Sequence, residues 1–315
     1  MKMRVLRGFL TLKLVGATLA IAAGFFGFLH PAFDTASNFR LHMAVGLLAI
    51  VVLLLAIKAY RRALTGAIVA IGAIATCWQG LPTGQPAMQI SGKTVHSAFV
   101  MNLLWNNGEQ DKVVKLIARH DPDFLILTEV SRYWTQTLSQ LEAQYPHHYH
   151  CAEWRTVGGS VILSRMALKK EIFCGPYASL GLATFEVDGT DVDFGVVHLR
   201  WPWPASGPKQ ITAITPKLEA LTPDALIAGD FNSVTWSHSL QRFADAGGLT
   251  IVGGIGGTWG PGYKGAERDY WFPAMLGLPI DNVMRKGKVR IVSAQRLERS
   301  GSDHLPVLVR FTVDK

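Results

Sequence analysis

Three apolar stretches, at residues 10–29, 41–57 and 63–81, open the chain. Each comes close to the roughly 17–25 residues that a helix needs to cross a bilayer. This limits the fold more than any other feature, since one stretch of this kind can hide in a soluble core but three in succession call for lipid. Composition agrees: of 315 residues, 49% are hydrophobic and 17% charged, which is apolar and charge-poor for a soluble protein. The expectation is a membrane anchor of three transmembrane helices and a linker over residues 1–90. Lys13 can snorkel toward headgroups, and Tyr60 and Trp78 fall where interfacial aromatics are common. For any single stretch the competing reading is a buried core helix, and for the first a cleaved signal peptide.

The net charge of +8 is unevenly spread. Lys2, Arg4, Arg7, Lys13, Arg40, Lys58, Arg61 and Arg62 precede residue 90 against the single acid Asp34, which leaves 23 basic and 22 acidic residues for the remainder. The basic balance therefore belongs to the membrane flanks and gives no sign of a cationic nucleic-acid-binding face. Residues 1–7 and the second connection, with Lys58, Arg61 and Arg62, are basic, whereas the first connection, residues 30–40, holds only Arg40 beside Asp34. The positive-inside bias puts the amino terminus and the second connection in the cytoplasm. The expectation is a multi-pass protein of the cell (inner) membrane whose remaining residues, 91–315, form an extracytoplasmic domain.

Pro82, Thr83, Gly84, Gln85 and Pro86 read as the linker. Beyond it, apolar runs predict strands at 94–101, 124–127, 160–163, 182–187, 192–197, 225–228, 280–284 and 306–312, with a hairpin turn at Asp188-Gly189. Helical spacing predicts helices at 110–119, 133–144, 210–221 and 238–246. Strands mixed with helices, some joined by hairpins, predict an α/β sandwich and argue against a doubly wound parallel sheet. Cys151 and Cys174 leave two readings open, a disulfide in an oxidising compartment or two buried thiols. No spacing resembles a zinc site, and no internal repeat is visible.

Polar residues interrupt the apolar strands at their ends. Asn102 follows Met101, Glu129 follows Thr128, His198 follows Val197, Asp230 and Asn232 follow Ala228, Asp281 follows Ile280, and Ser302-Asp303-His304 precedes the last apolar run. Any one of these is ordinarily a turn former or a helix cap. Six separate strands doing so is different, because a sandwich can bring those ends to one rim, and a carboxylate such as Asp281 in an apolar run needs a partner.

Taken in order, Asn102-Leu-Leu-Trp-Asn-Asn107, Leu127-Thr-Glu129-Val, Val197-His198-Leu, Gly229-Asp230-Phe231-Asn232, Ile280-Asp281 and Ser302-Asp303-His304-Leu-Pro306-Val resemble the signature blocks of the endonuclease/exonuclease/phosphatase superfamily. The resemblance spans nearly all of residues 94–312. It implies a four-layer α/β/β/α sandwich with the active site at one end of its two sheets, and Mg²⁺- or Mn²⁺-dependent hydrolysis of phosphate esters. It further implies Glu129 as the principal metal ligand, supported by Asn102 and Asp303. Asp230 and Asn232 would hold the scissile phosphate and the attacking water. His304, oriented by Asp281, would serve as general base or charge-stabilising donor. His198 resembles the deoxyribonuclease, sphingomyelinase and inositol-phosphatase branches, where this position is a phosphate ligand or general acid. Asn282 departs from the family, many members of which carry His there, and this bears on local packing alone. Hard oxygen donors of this kind suit Mg²⁺.

Arg200, Trp201 and Trp203, with Pro202 and Pro204, are candidate substrate contacts: either a rigid apolar wall beside the site or a packed surface loop. The glycine-rich run 253–257 reads as a flexible loop at the site's edge, and His147, His148 and His150 as a solvated loop rather than a metal site. The functional expectation is a membrane-anchored, nuclease-like phosphodiester hydrolase working outside the cytoplasm on a phosphate ester, with no protein partner implied. The alternatives are a phosphoesterase for lipid headgroups or small phosphorylated compounds, and a catalytically inactive binding module.

Overall fold

The computed structural model describes residues 2–85, 92–151, 157–260 and 277–314. Its first part is helical: α1 (Lys2–Ala23), α2 (Pro31–Asn38), α3 (Arg40–Ala56) and α4 (Tyr60–Thr76). Helices α1, α3 and α4 pack through Leu14, Ala44, Leu47, Leu54 and Ala70. Gly66 lets α4 approach closely, since a Cβ there would lie 2.8 Å from Val51 and 2.9 Å from Leu14. Their outer surfaces are apolar as well: Phe9, Leu12, Leu19, Val52, Leu53, Leu64, Ile68 and Ile71 are exposed.

The expectation of three transmembrane helices is corrected. Among the described residues one helix, α1, is long and apolar enough to cross a membrane, and a second span exists only if α2 and α3, bent by 63°, are counted together. Helices α3 and α4 have 17 residues each, about 25 Å at the helical rise, against a hydrocarbon layer of about 30 Å. Charged residues shorten the apolar part further: Arg40 is the first residue of α3, and Arg61 and Arg62 lie in the first turn of α4.

The remainder is a two-sheet α/β sandwich. Its strands are β1 (His96–Asn102), β2 (Phe124–Val130), β3 (His147–Cys151), β4 (Gly159–Ser164), β5 (Leu168–Cys174), β6 (Leu180–Val187), β7 (Thr190–His198), β8 (Ala225–Asp230), β9 (Thr250–Ile251), β10 (Asp281–Lys286), β11 (Val289–Arg296) and β12 (Val307–Val313). One sheet has the order β11-β12-β1-β2-β4-β3 and the other β5-β6-β7-β8-β10-β9. The pairs β1/β2 and β7/β8 are parallel and their neighbours antiparallel, so this is no doubly wound parallel sheet.

Between the sheets lie Phe124, Phe185, Phe194 and Phe311, the Phe124 and Phe194 rings stacked at 4.1 Å. Helices α5 (Gln110–His120) and α6 (Thr135–Glu142) cover the outer face of the first sheet through Val113, Leu116 and Leu138. Helices α7 (Gly207–Glu219) and α8 (His238–Gly247) cover the second through Ile211, Ile214, Leu240 and Phe243. Central strands are thus buried on both faces, which is why they read as continuous apolar runs. The β6–β7 hairpin turns through Asp188 and Gly189, both at positive φ (50° and 78°), as a two-residue hairpin of this type requires.

Some elements differ from expectation. Residues 147–151 form edge strand β3, with Tyr149 and Cys151 inward and His148 and His150 outward, where a loop was expected. Strands β5 and β11 carry too many polar residues to show an apolar run, and β9, with two residues, is too short to show one. Cys151 and Cys174 form a disulfide, Cα–Cα 5.2 Å, joining an edge strand of each sheet. The first connection folds into α2, and the linker packs on the glycine-rich run: Gly84 N–H donates to the Gly254 carbonyl (3.1 Å) and Gly254 N–H to that of Gln79 (2.7 Å).

Candidate active site

The strand ends meet at one rim of the sandwich. Glu129 reaches it through an irregularity in β2, where the pairing with β4 shifts between Leu127 and Val130 and Glu129 takes φ 56°. Such a bulge re-aims a side chain. Its carboxylate accepts from Asn102 Nδ2 (3.0 Å) and from the Trp105 N–H (2.9 Å). The same Asn102 amide also donates to Asp230 Oδ2 (3.1 Å), so one side chain at the end of β1 links carboxylates from two sheets.

Asp230 arrives on β8 behind Gly229, whose φ of 141° and position against β7 demand glycine: a Cβ would lie 2.2 Å from the Val197 carbonyl oxygen. In the sheet, Asp230 pairs with His198 on one side and Asp281 on the other. Asn232, at φ 48°, donates from its N–H to Asp230 Oδ1 (2.8 Å) and from Nδ2 to the Leu199 carbonyl (2.8 Å). Asparagine tolerates this left-handed geometry better than most residues.

His198 Nε2 lies 3.7 Å from Glu129 and 3.9 Å from Asp230. His304 Nδ1 is 2.8 Å from Asp281 Oδ2, and its Nε2 is 3.6 Å from Asp230 Oδ2. Ser302 holds this corner, its hydroxyl donating to the Asn102 carbonyl (2.8 Å) and accepting from the His304 N–H (3.0 Å).

Burial raises the Asp230 carboxyl to about 6, with Asp281 adding to the rise and His304 and His198 opposing it. For His304, burial disfavours the charge, but Asp281 and Asp230 outweigh it and lift the ring to about 10. With only the protein's own groups around it, the imidazole is therefore protonated at neutral pH.

Glu129, His198, Asp230, Asn232, Asp303 and His304 line a cavity of about 560 Å³. Arg200 and Trp201 line it too, Arg200 lying over the Tyr177 ring at 4.5 Å. Trp203 is not among the lining residues; it is half exposed and its backbone bonds to Thr35. Asp303 accepts from Trp259 Nε1 (3.2 Å). Asp230, Asp281 and His304 have ligand atoms close enough to share a cation, and the Asp281 Oδ1 atom is buried without a hydrogen-bond partner. With His304 protonated, the hard donors here are the carboxylate oxygens of Glu129, Asp230 and Asp281, which fit Mg²⁺ or Mn²⁺. A second cluster, Glu142, His148 and His150, lines no part of this cavity.

Sequence reasoning missed Tyr177, Gln210 and the segment 34–39. Gln210 resembles any residue of a helix's first turn, yet its Oε1 accepts from the Arg200 N–H (2.8 Å). The signal for 34–39 was available: Asp34, Ser37 and Asn38 concentrate polar groups between two apolar stretches.

The sequence pattern of the Endonuclease/Exonuclease/phosphatase family matches residues 100–304. No curated protein matches the chain. Among solved structures it is similar to D. rerio TDP2 in complex with single-strand DNA product (14% identity, TM-score 0.57, covering 70% of this chain and 100% of that one). It is also similar to an endonuclease/exonuclease/phosphatase from Beutenbergia cavernae (18%, 0.54, covering 70% and 72%). A third is ANGEL2, a 2′,3′-cyclic phosphatase, in complex with adenosine-2′,3′-vanadate (14%, 0.54, covering 72% and 98%). At such identities the likeness is one of fold.

Proposed function

This chain belongs to the endonuclease/exonuclease/phosphatase family and is a phosphoester-acting hydrolase; we propose that it is a Mg²⁺- or Mn²⁺-dependent, nuclease-like phosphodiesterase. The observation that carries this reading is the single Asn102 amide joining Glu129 and Asp230, with His198 and the His304–Asp281 pair beside them. Glu129, with Asn102 and Asp303 in support, would hold the cation. Bound there, the cation would neutralise charge on the phosphoryl oxygens.

The chain's own groups do the rest. Asp230, raised toward neutrality, holds the attacking water and takes its proton as the new P–O bond forms, and Asn232 fixes the rotamer of Asp230. The His304 imidazolium, held by Asp281, stabilises the negative charge of the transition state. His198 is the phosphate ligand or the acid for the leaving oxygen, a position that supports the deoxyribonuclease/sphingomyelinase-like branch. The P–O bond to the leaving group breaks, and no covalent enzyme intermediate is needed.

A second substrate reading, a lipid headgroup, is favoured by one observation: Trp201 in the cavity wall stacks on Phe39, the residue just before α3 (6.2 Å, 10°). Membrane anchoring is supported by the apolar outer surfaces of α1, α3 and α4. Arg7, Lys58, Arg61 and Arg62 gather around one cavity at the turn between α3 and α4, while α2 lies against the catalytic loops. That arrangement and the disulfide support a catalytic domain, residues 91–315, outside the cytoplasm. A reporter enzyme fused after Lys315 should work only in the exported compartment, and cytoplasmic activity would overturn this placement.

The test of function uses the full chain in detergent. It should hydrolyse bis-p-nitrophenyl phosphate with Mg²⁺ or Mn²⁺, lose activity to EDTA, and lose about a hundredfold or more in Glu129→Ala and His304→Ala. Undiminished turnover in EDTA would sink the mechanism. DNA, RNA, sphingomyelin and phosphatidylinositol phosphates offered in parallel separate the two substrate readings.

A further inference from the structure

Helix α2 lies on the loop that follows β8. Asp34, buried, accepts from the backbone N–H groups of His238 (2.7 Å) and Ser239 (2.9 Å) at the start of α8. A helix leaves such first-turn donors unpaired by itself, so a carboxylate from the anchor caps a helix of the catalytic domain. Trp236 Nε1 donates to the Ser37 carbonyl (2.8 Å). Asn38, with no solvent exposure, bridges the loop itself: its Nδ2 donates to the Asn232 carbonyl (3.1 Å) and its Oδ1 accepts from the Val234 N–H (3.2 Å). The Thr35 hydroxyl donates to the Trp203 carbonyl (3.0 Å) and accepts from the Trp203 N–H (2.9 Å), and Phe39 stacks on Trp201.

These contacts fall on a segment that has to be held. Asn232 sits at φ 48°, a backbone region that persists only when the surroundings impose it. Its N–H fixes the Asp230 carboxylate. Inside the domain Asn232 is held at its amide and side chain, and its carbonyl is held by Asn38. We infer that Asn38 is a positioning residue for Asn232 and Asp230, and that residues 34–39, which lie in the sequence between two apolar helices, are an integral part of the hydrolytic site. This rests on the hydrolase reading above.

The arrangement also ties the site to the apolar helices. Arg40, two residues after Asn38, donates to the Gly24 carbonyl at the end of α1 (2.7 Å) and to Thr76 of α4 (3.3 Å). A fragment beginning after the linker would lack both the α8 cap and the bridge over 232–234. It would leave the backbone groups of Asn232 and Val234 to water in place of the fixed Asn38 side chain, so the loop loses the contacts that hold it in one conformation. Such a fragment is expected to be poorly active even where its sandwich folds.

The test compares the full chain in detergent with Asn38→Ala, with Asn38→Asp, which keeps the acceptor for Val234 and removes the donor to Asn232, and with Leu47→Ala in the apolar bundle. In Asn38→Ala, kcat on bis-p-nitrophenyl phosphate should fall about tenfold to a hundredfold, with KM within about twofold of wild type. Asn38→Asp, which sets a buried carboxylate oxygen against the Asn232 carbonyl, should lose at least as much, and Leu47→Ala should lower the unfolding temperature without changing kcat in the folded protein. Backbone hydrogen exchange over residues 231–239 should quicken about tenfold in both Asn38 variants and stay unchanged in Leu47→Ala. An Asn38→Ala protein with wild-type kcat, or with wild-type exchange over 231–239, overturns the inference. If the wild type itself shows no metal-dependent hydrolysis, the hydrolase reading fails, and the exchange comparison still decides whether Asn38 holds the loop.

Discussion

His304 Nδ1 lies 2.8 Å from Asp281 Oδ2 while its Nε2 points toward Asp230 Oδ2 at 3.6 Å, so one imidazole stands between two buried carboxylates from neighbouring strands. That placement sets its protonation. Asp281→Asn removes the foremost of the influences that lift His304 to about 10. Turnover should fall about a hundredfold, and the alkaline limb of the pH profile should move to lower pH. The same shift has a sign for stability: a raised histidine stabilises the fold fully below about pH 6.5, and this contribution is lost as pH rises toward about 10. An NMR titration of the His304 ring in both proteins checks this; an unshifted ring in Asp281→Asn would refute it.

Cation binding should be visible without turnover. Mg²⁺ or Mn²⁺ at about a hundred times its Kd should stabilise the folded chain by about 2.7 kcal/mol. Thermal unfolding with and without EDTA measures the increment. Because Glu129 is the principal ligand in the proposed site, Glu129→Ala should lose nearly all of it, and an undiminished increment there would place the cation elsewhere.

Gly229→Ala tests the close approach of β8 to β7. The added Cβ would stand 2.2 Å from the Val197 carbonyl oxygen at a φ of 141°, so the backbone on either side of it has to move. Since Asp230 is the next residue, activity should drop about a hundredfold or more, together with a lowered unfolding temperature. Wild-type kinetics in this variant would contradict the backbone geometry described for β8.

The disulfide makes a stability prediction of its own. Cys151 and Cys174 close a loop across the edges of the two sheets, with a sequence separation of 23. Reduction should lower stability by about 3 kcal/mol on the loop-entropy scale. Denatured, unreduced protein should present Cys77 alone to a thiol reagent, so labelling at all three cysteines would rule the bridge out.

Much of this protein is written locally. Runs such as Phe124–Val130 are apolar without alternation because both faces are buried, and Asp188-Gly189 turns a hairpin because those residues accept positive φ. Glu129, Asp230 and His304 stand out in the sequence because each breaks such a run. Edge strands such as β3 did not show, since a strand half open to solvent can carry His148 and His150 as readily as a loop can.

The sequence by itself determined the two-sheet sandwich, the order of its motif blocks and the apolar character of the opening helices, because these depend on periodicity and on residue types acting over a few positions. Only the tertiary structure decided which apolar stretch is long enough to cross a membrane, that Cys151 meets Cys174, and that α2 belongs to the site. The reason is physical: Asn38 reaches Asn232 and Val234 across nearly two hundred residues, through backbone groups that every residue carries. Contacts of that kind leave no pattern in the side chains, and they exist only once the chain has folded.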